Sequence, residues 1–390
     1  KKHEKTIFKD FTMTAATDAR APQTTVDNHL DIGAQINDHS AYLFGVSADV
    51  FFKDADIFTQ AQLLVTDYYK LDTLSNFWDV YNVEAEALGQ KIVYYPDGLP
   101  DIDRTQRLLS RPSDLDRLHP PDPYKSGRMP WIHKINRNFL EATGKLDRAY
   151  FTAPFSLAAN IRGYQSLVED MLMRPAFAHR VFEFLCDEVL SPHIEVMREK
   201  AGIPDLLMDG RDAWASPPMI TLDMMDEYVV NYTNRLRDRV GGNLITRGNW
   251  GDAKSRDVER FFAQKTKCSP GSLSVLDPDL HEIGPERVRE YAHQHNLFVT
   301  AGVDAALLHT GPVEAIVERI KSYIENFARD GRCLIHLNQI PLATPSEHVH
   351  AAVAACHTYG RYPIAENLDD VQFQIPERED FSDFRKKIGA

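Results

Sequence analysis

From about residue 29 onward, short apolar runs alternate with longer segments in which apolar residues recur every three or four positions. Short apolar runs bounded by turn residues are typical of buried strands, and the longer spacing is typical of helices that bury one face. The runs that predict strands are 71–78, 91–95, 149–152, 205–208, 243–246, 272–276, 297–300 and 333–337. The helical spacing is clearest over about 166–201, 313–328 and 348–359.

A repeated order of strand, loop and helix predicts a parallel α/β sheet covered by helices, because parallel strands need a crossover connection. The predicted strands number close to eight, and no GxGxxG or GxxxxGK[ST] sequence follows any of them. This excludes dinucleotide and P-loop folds and favours a TIM-type (β/α)8 barrel. We predict an N-terminal arm over residues 1–28, one barrel over 29–365 and a C-terminal tail over 366–390.

The composition of the chain limits the classes of binding partner that it suits. Lysine and arginine total 44 against 57 aspartate and glutamate, which gives a net charge of -13. An acidic chain is a poor nucleic-acid or anionic-membrane binder, because both need basic surface. No apolar stretch is long enough for a membrane span or a signal peptide, and the four cysteines form no CxxC pair. We therefore expect a cytoplasmic protein with reduced thiols.

In such barrels, chemistry is carried by residues just beyond the carboxyl ends of the strands. The candidates at those positions are Asp79, Tyr81, Phe155, Asp209, Arg211, Trp214, Arg247, Asn249, Trp250, His336 and Asn338. A carboxylate at a barrel mouth acts as acid, base or cation stabiliser according to its burial. Guanidinium groups there suit a carboxylate or phosphate ligand, and tryptophans suit a flat, partly apolar one.

Several of these residues also have a purely structural interpretation. Asp209 and Arg211 are close in sequence, and a simple ion pair between them would account for both residues. Trp214 and Trp250 equally suit packing at the rim. His336 alternates with apolar neighbours on a predicted strand, which is also typical of a buried histidine whose polar atoms are satisfied. Both interpretations stay open at this point.

Metal-ligand spacing is weak in this chain. Histidines close in sequence occur as His293 with His295 and His348 with His350, and Cys356 is followed by His357. Side chains one or two positions apart on a helix point to different faces. No HExxH sequence is present. The spacing therefore predicts no metal site from these residues.

Three stretches of the second half have a recognisable order and spacing: residues 207–210, 299–316 and 334–353. The second contains Gly302-Val303-Asp304 and then Gly311-Pro312-Val313. Together they resemble the uroporphyrinogen decarboxylase superfamily, in which corrinoid-linked and coenzyme-M-linked methyltransferases are also found. The resemblance covers about residues 145–360, and it implies a (β/α)8 barrel.

Departures from the family pattern bear on function. Uroporphyrinogen decarboxylases hold substrate carboxylates with an arginine-rich N-terminal stretch that has no counterpart here, although Asp79 lies roughly where their pyrrole-stabilising aspartate stands. Their late histidine falls near Asn338. The zinc ligands of the related methyltransferases fall at Ile245, Arg247 and Asn338. We therefore expect neither a porphyrinogen substrate nor a zinc-activated thiol, and no tightly bound metal or cofactor.

The remaining hypothesis is a methyltransferase of the O-demethylase type, which moves a methyl group from a small methoxylated aromatic substrate to a corrinoid (cobalamin) on a partner protein. The expected catalytic residues are Asp79, Asp209, Arg247 and His336. The expected substrate-binding residues are Tyr81, Phe155, Arg211, Trp214, Asn249, Trp250 and Asn338. Two alternatives stay open: a decarboxylase or related lyase, and a non-catalytic binding protein.

Two further expectations follow. The partners are a small-molecule substrate and the corrinoid protein, with a homodimer as the candidate assembly. An Arg247→Ala variant is expected to lose activity and to keep its fold, because residues at the strand mouth add little to a barrel core.

Overall fold

The computed structural model describes residues 28–79, 81–377 and 379–389, so the predicted arm lies almost wholly outside it. Seven strands in these ranges pair in parallel, in two sheets with the orders β1-β9-β8-β7 and β4-β5-β6. They are β1 (Ile32–Ala34), β4 (Arg148–Thr152), β5 (Leu207–Arg211), β6 (Leu244–Arg247), β7 (Ser272–Leu276), β8 (Phe298–Val303) and β9 (Cys333–Leu337). A short antiparallel hairpin is formed by β2 (Ile92–Val93) and β3 (Asp101–Ile102).

Helices follow nearly every parallel strand, as the alternating pattern predicts. In the first half they are α1 (Asn37–Phe44), α2 (Ala48–Phe51), α3 (Ala55–Tyr69), α4 (Val83–Ala87), α5 (Met129–Thr143), α6 (Pro154–Arg162), α7 (Tyr164–Met173), α8 (Pro175–Phe184) and α9 (Ser191–Ala201). In the second half they are α10 (Leu222–Met224), α11 (Asn231–Val240), α12 (Val258–Cys268), α13 (Asp279–Ile283), α14 (Pro285–Gln294), α15 (Ala305–Thr310), α16 (Val313–Phe327), α17 (Ser346–Tyr359) and α18 (Phe381–Ile388). None of these described helices is long and apolar enough to cross a bilayer.

The strand predicted over 71–78 is not a strand in the structure. Residues 74–79 have no regular secondary structure and form no backbone ladder with a neighbour. The segment still occupies the second position of the barrel: the N–H of Asp72 donates to the carbonyl of Ile32 on β1, and Asn76 Nδ2 donates to the carbonyl of Arg148 on β4. The strand order therefore matches a (β/α)8 arrangement with one position filled by irregular chain.

Two other predicted elements are shorter or broken. The helix predicted over 166–201 is divided into α7, α8 and α9. Pro175 cannot donate to the preceding turn, so it begins a new helix, and a π-helical turn over 185–190 precedes Pro192, which also lacks an N–H. The strand predicted over 91–95 is reduced to two residues of the hairpin. The helices predicted over 313–328 and 348–359 are confirmed to within two residues.

The register of the parallel strands sets which residues share the inside of the sheet. Tyr150 is paired with Asp209, and Arg211 is paired with Arg247, on successive strands. Residues two apart on one strand point to the same face. Tyr150, Asp209, Arg211 and Arg247 therefore project from one face, while Met208 lies fully buried on the opposite face, against the helices. The interior of this half of the barrel is polar and charged.

The predicted C-terminal tail folds back on the body of the protein. Phe381 and Phe384 of α18 are nearly buried, and their rings lie 5.1 and 5.4 Å from the ring of Tyr68 on α3. Leu368, in the short 3-10 turn before it, is 1% exposed. The last described residues thus add apolar contacts to α3.

Glu84 of α4 predicts how stability depends on pH. Its fully buried carboxyl accepts hydrogen bonds from the N–H and hydroxyl of Thr152. Burial raises the pKa of Glu84 from 4.5 to about 7, although the hydrogen bonds with Thr152 lower it in part. The folded protein therefore holds a proton that the unfolded chain releases, and the stability present below pH 4.5 is lost as pH rises toward 7. The loss is roughly 3 kcal/mol.

Glu84→Gln should remove this loss, because glutamine keeps an acceptor and a donor for Thr152. We expect the variant's free energy of unfolding to fall less than that of the wild type between pH 5 and pH 8. Urea unfolding at the two pH values measures it. The matched control is Glu141→Gln, an exposed glutamate on α5. Equal pH dependence in the variant and the wild type would contradict the assignment.

Candidate active site

The carboxylate of Asp209 lies at the centre of the charged interior. Arg247 donates to it from Nε, at 3.1 and 3.0 Å from the two oxygens, and from Nη2 at 2.5 Å. Arg148 Nη1 lies 3.2 Å and Arg211 Nη2 3.3 Å from Oδ2. Asp209 is fully buried, while the three arginine side chains keep some exposure. We call these three residues the arginine cluster.

One carboxylate does not balance the arginine cluster. Burial opposes ionisation of Asp209, but the positive charges of the cluster outweigh it and hold the pKa of Asp209 well below its usual range. With Asp209 ionised, the group carries an excess of two positive charges. Burial lowers the pKa of Arg211, and the neighbouring Arg247 adds to this. A second anion beside Arg211 would offset the repulsion.

Arg211 itself has an unused donor. Its Nε is buried and, among the residues that the structure describes, has no acceptor. The guanidinium lies against two rings that also contact each other edge to face: its Cζ is 4.7 Å from the ring centroid of Phe77 and 5.0 Å from that of Tyr150, and the two centroids are 4.9 Å apart. These ring contacts hold the charged group in place without neutralising it. A buried N–H without an acceptor costs free energy unless a ligand satisfies it.

His336 of β9 completes the charged interior. Burial, together with the charges of Arg211 and Arg247, lowers its pKa to about 3. It is therefore a neutral imidazole at physiological pH, able to accept or donate a hydrogen bond. The residue paired with it on β8 is Gly302, where an added Cβ would lie 2.4 Å from Oδ1 of Asn338. Glycine is needed there because Asn338 packs directly on the strand.

A cavity of about 220 Å³ opens at the mouth of the barrel. Its lining consists of Gln35, Asn37, Phe77, Trp78, Asp79, Tyr81, Asn82, Leu99, Pro100, Asp101, Arg104, Asn160, Ala213 and Trp214. Phe77 joins the two parts of the site, since it lines the cavity and contacts Arg211. Pockets for drug-sized ligands are about 300–1,000 Å³. The volume of this cavity suits a smaller molecule.

Asp79 lines the cavity but is engaged by its neighbours. Arg128 Nη2 lies 2.6 Å from one oxygen and Asn82 Nδ2 2.5 Å from the other, and Arg128 Nε also contacts Glu86 at 2.5 Å. Burial raises the pKa of Asp79, against the lowering effect of Arg128. The aspartate is thus part of a buried ion-pair network at the wall of the cavity.

Aromatic and cationic groups share the outer part of the cavity. The ring of Trp214 lies 5.3 Å from Tyr164 and 5.4 Å from the guanidinium carbon of Arg104. Burial raises the pKa of Tyr81 to about 12, although Arg211 opposes that rise. Tyr81 therefore keeps its proton and can donate a hydrogen bond. The cavity therefore has flat apolar walls, with the hydroxyl of Tyr81 and the guanidinium of Arg104 as hydrogen-bond donors.

Four of the predicted site residues belong neither to the cavity lining nor to the charged interior around Asp209. Phe155 is fully buried on α6 and packs on Phe182. Asn249 is buried and donates to the carbonyls of Asp212 and Ala215, so it ties two loops together. The other two are Trp250, which is half exposed, and Asn338, whose Nδ2 lies 3.4 Å from the carbonyl of Asp277. Asp209, Arg211, Arg247 and His336 converge, and Asp79, Tyr81 and Trp214 line the mouth.

Arg148, Arg128 and Phe77 belong to the site but are not among its predicted residues. The predicted residues follow the carboxyl ends of strands, whereas Arg148 is the first residue of β4 and Arg128 immediately precedes α5. Two-residue alternation places Arg148 and Tyr150 on one face of β4, and that was an available signal. No local pattern marks Arg128, because its partner Asp79 is 49 positions away.

The residues at the family's zinc-ligand positions do not fit zinc. Ile245 offers no ligand atom, Arg247 is committed to Asp209, and the amide nitrogen of Asn338 faces a backbone carbonyl. Zinc sites in proteins are built from thiolate, imidazole and carboxylate groups. No step of the chemistry is therefore assigned to a metal at these strand ends.

The parallel strands and their helices define a protein of the (β/α)8 barrel class, and its charged interior and aromatic mouth lie where such barrels carry their active sites. The chain belongs to the uroporphyrinogen decarboxylase family: the family profile described as uroporphyrinogen decarboxylase (URO-D) matches residues 33–359. Members of this superfamily are decarboxylases or methyltransferases.

One of the solved structures similar to this chain shares its fold. A methyltransferase from Methanosarcina mazei is 17% identical with a TM-score of 0.69, over 84% of this chain and 94% of that chain. A B12-independent methionine synthase from Shewanella sp. W3-18-1 is 11% identical with a TM-score of 0.46, over 78% of this chain and 89% of that chain. None of the curated protein sequences compared with the chain matches it.

Proposed function

We propose that the chain is a methyltransferase that takes the methyl group of a small methoxylated aromatic carboxylate and passes it to a corrinoid protein. The observation that carries the proposal is the buried Nε of Arg211, which has no acceptor among the described residues and belongs to a group with excess positive charge. A guanidinium that shares one carboxylate with two other arginines and has a buried N–H without an acceptor suits an anionic ligand. The aromatic cavity directly beyond Phe77 suits the ring that bears the anion.

The substrate would bind with its two ends in different surroundings. Its carboxylate accepts from Arg211, whose fork of donors matches a planar anion. Its ring lies among the aromatic walls, where Phe77 and Trp214 provide flat apolar surface. The exclusion of water around the ring strengthens the charge contact at the other end.

Demethylation breaks the bond between the methyl carbon and the aryl oxygen, and the electron pair stays on that oxygen. The reduced cobalt of a corrinoid on a partner protein would accept the methyl group and would supply the electron pair of the new bond. The task of this chain is to stabilise the departing aryl oxide, which needs a proton or a positive charge beside it. Tyr81 retains its proton and lines the cavity, so it is the donor we assign to the aryl oxygen.

The test incubates the purified chain with a methoxybenzoate, with and without a reduced corrinoid protein. We expect methyl-corrinoid and the hydroxybenzoate to form together, and only when both proteins are present. The matched control substrate is methoxybenzene, which lacks the carboxylate and should react at least a hundredfold more slowly, because one charged contact of roughly 3 kcal/mol is lost. Equal rates for both substrates would contradict the assignment of the arginine cluster.

Decarboxylation is the second candidate, favoured by the same feature. A carboxylate held by the arginine cluster next to neutral His336 is also placed for loss of CO2 and protonation of the carbon left behind. Release of CO2 from the benzoate without any corrinoid protein would establish this reaction instead. Tight binding of benzoate with neither product would establish a binding protein.

A further inference from the structure

Three side chains from distant parts of the sequence meet at the end of the barrel opposite the cavity. His29 precedes β1, Asp72 follows α3, and His357 is near the C-terminal end of α17. One ring nitrogen of each histidine and a carboxylate oxygen of Asp72 all lie within 4.8 Å of one another. The backbone places them at the amino ends of the strands: the N–H of Asp72 donates to the carbonyl of Ile32, the first residue of β1.

The distances in this cluster are close to those of a metal site. His357 Nε2 lies 2.9 Å from Asp72 Oδ2. In a tetrahedral zinc site with bonds of about 2.0–2.1 Å, neighbouring ligand atoms lie roughly 3.4 Å apart. Small side-chain adjustments therefore suffice to place an ion between the three groups. The side chains of His357 and Asp72 are 26% and 18% exposed, so an ion can enter from solvent.

The surrounding hydrogen bonds orient the groups as metal ligands are usually oriented. His29 Nδ1 lies 3.1 Å from the carbonyl of Leu30, and the tautomer that donates to this carbonyl carries its lone pair on Nε2. The N–H of Ile32 donates to Asp72 Oδ2 at 2.8 Å and fixes the carboxylate. Backbone partners of this kind commonly fix the ring of a ligating histidine and the carboxylate beside it.

The two imidazole rings lie directly beside each other. Their centroids are 4.1 Å apart with an interplanar angle of 33°. Neutral imidazole and carboxylate groups are ligands that one divalent cation can take together.

We propose that His29, Asp72 and His357 bind one divalent transition-metal ion, with Zn²⁺ as the expected occupant and water in the fourth position. Two imidazoles and one carboxylate suit zinc and its neighbours better than calcium or magnesium, which prefer oxygen ligands. The ion would fasten the chain before β1 to α17. It lies away from the cavity, and it is independent of the proposed methyl transfer.

The experiment titrates Zn²⁺ into the full chain, expressed without a histidine tag and stripped with a chelator. We expect calorimetry to give one zinc per chain. His357→Gln and Asp72→Asn should each weaken binding at least tenfold. Zn²⁺ should raise the melting temperature of the wild type, since it binds the folded state, and not that of either variant. Co²⁺ should give the visible absorption of a low-coordinate nitrogen and oxygen site.

The matched control is His293→Gln, which removes an exposed histidine on α14 and should bind zinc like the wild type. Absence of stoichiometric zinc in the wild type would overturn the proposal. So would unchanged zinc affinity in a folded His357→Gln variant, which would show that the ion binds elsewhere and that His357 and Asp72 are only a hydrogen-bonded pair.

Discussion

Arg211→Gln should lower kcat/KM for a methoxybenzoate at least a hundredfold while the melting temperature changes by no more than about 2 °C. The guanidinium contacts Asp209 only at 3.3 Å, and its Nε is buried without an acceptor among the described residues. The charged contact with substrate is worth about 2–3 kcal/mol, whereas the variant also removes repulsion from Arg247. Steady-state kinetics and thermal unfolding measure the two effects.

Two variants separate charge from geometry in this result. Arg211→Lys keeps the positive charge but loses the planar fork, so its kcat/KM should fall between that of Gln and that of the wild type. Arg104→Gln removes an exposed arginine that contacts Trp214 at the rim, and it should change kcat/KM less than tenfold. An Arg211→Gln variant as active as the wild type would remove the arginine cluster from the substrate site.

Asp209→Ala should destabilise the protein by about 3–5 kcal/mol, because it leaves three guanidinium groups without their shared counter-charge. The melting temperature should fall by roughly 5–10 °C. Benzoate or sulfate should restore part of the lost melting temperature in the variant, because an added anion takes the place of the missing carboxylate. The same anions should raise the melting temperature of the wild type less. Thermal unfolding with and without each anion tests the expectation.

Asp170→Ala is the matched control for Asp209→Ala. Asp170 is equally buried and is paired with Arg162 and Arg174, but it lies on α7 away from the cavity. The Asp170→Ala variant should be destabilised to a similar degree as Asp209→Ala. Anions should not restore its melting temperature, and its turnover per folded molecule should be normal. If anions restored both variants equally, the effect would be general and the arginine cluster would not be an anion site.

In the wild type, lowering the pH should remove the stability that ionised Asp209 contributes. The arginines hold the pKa of Asp209 well below its usual value, so its contribution to stability is complete above about pH 4 and is lost as pH falls further. The Asp209→Ala variant lacks this contribution. Its stability should therefore fall less steeply than that of the wild type below pH 4.

The barrel and half of the site could be predicted from the sequence because both depend on where the strands end. Asp209, Arg211 and Arg247 were predicted from their positions at the carboxyl ends of predicted strands, and the structure places them on β5 and β6. The contacts that fix Asp79 could not be predicted, since Arg128 reaches it from another element. Phe155 is an aromatic residue just after a strand, as a residue at the mouth would be. It lies in the first turn of α6, however, and its side chain is buried in the core.

The structure also revises the expectation that Arg247→Ala leaves the fold intact. Arg247 makes three hydrogen bonds to a fully buried carboxylate, so truncation removes the principal partner of Asp209. Such a change affects stability and activity together. Arg211 separates them better, and only the observed distances distinguish the two arginines.

The hairpin of β2 and β3 supplies part of the roof of the cavity through Leu99, Pro100 and Asp101, whereas the arginine cluster stands on β4, β5 and β6. Under the proposed function, recognition of the anion and recognition of the ring are therefore encoded in separate stretches of the chain. Substitutions in the hairpin would then change the range of rings accepted without disturbing the strands that would hold the anion. A homologue with a different hairpin would keep a preference for acids and accept a different set of them.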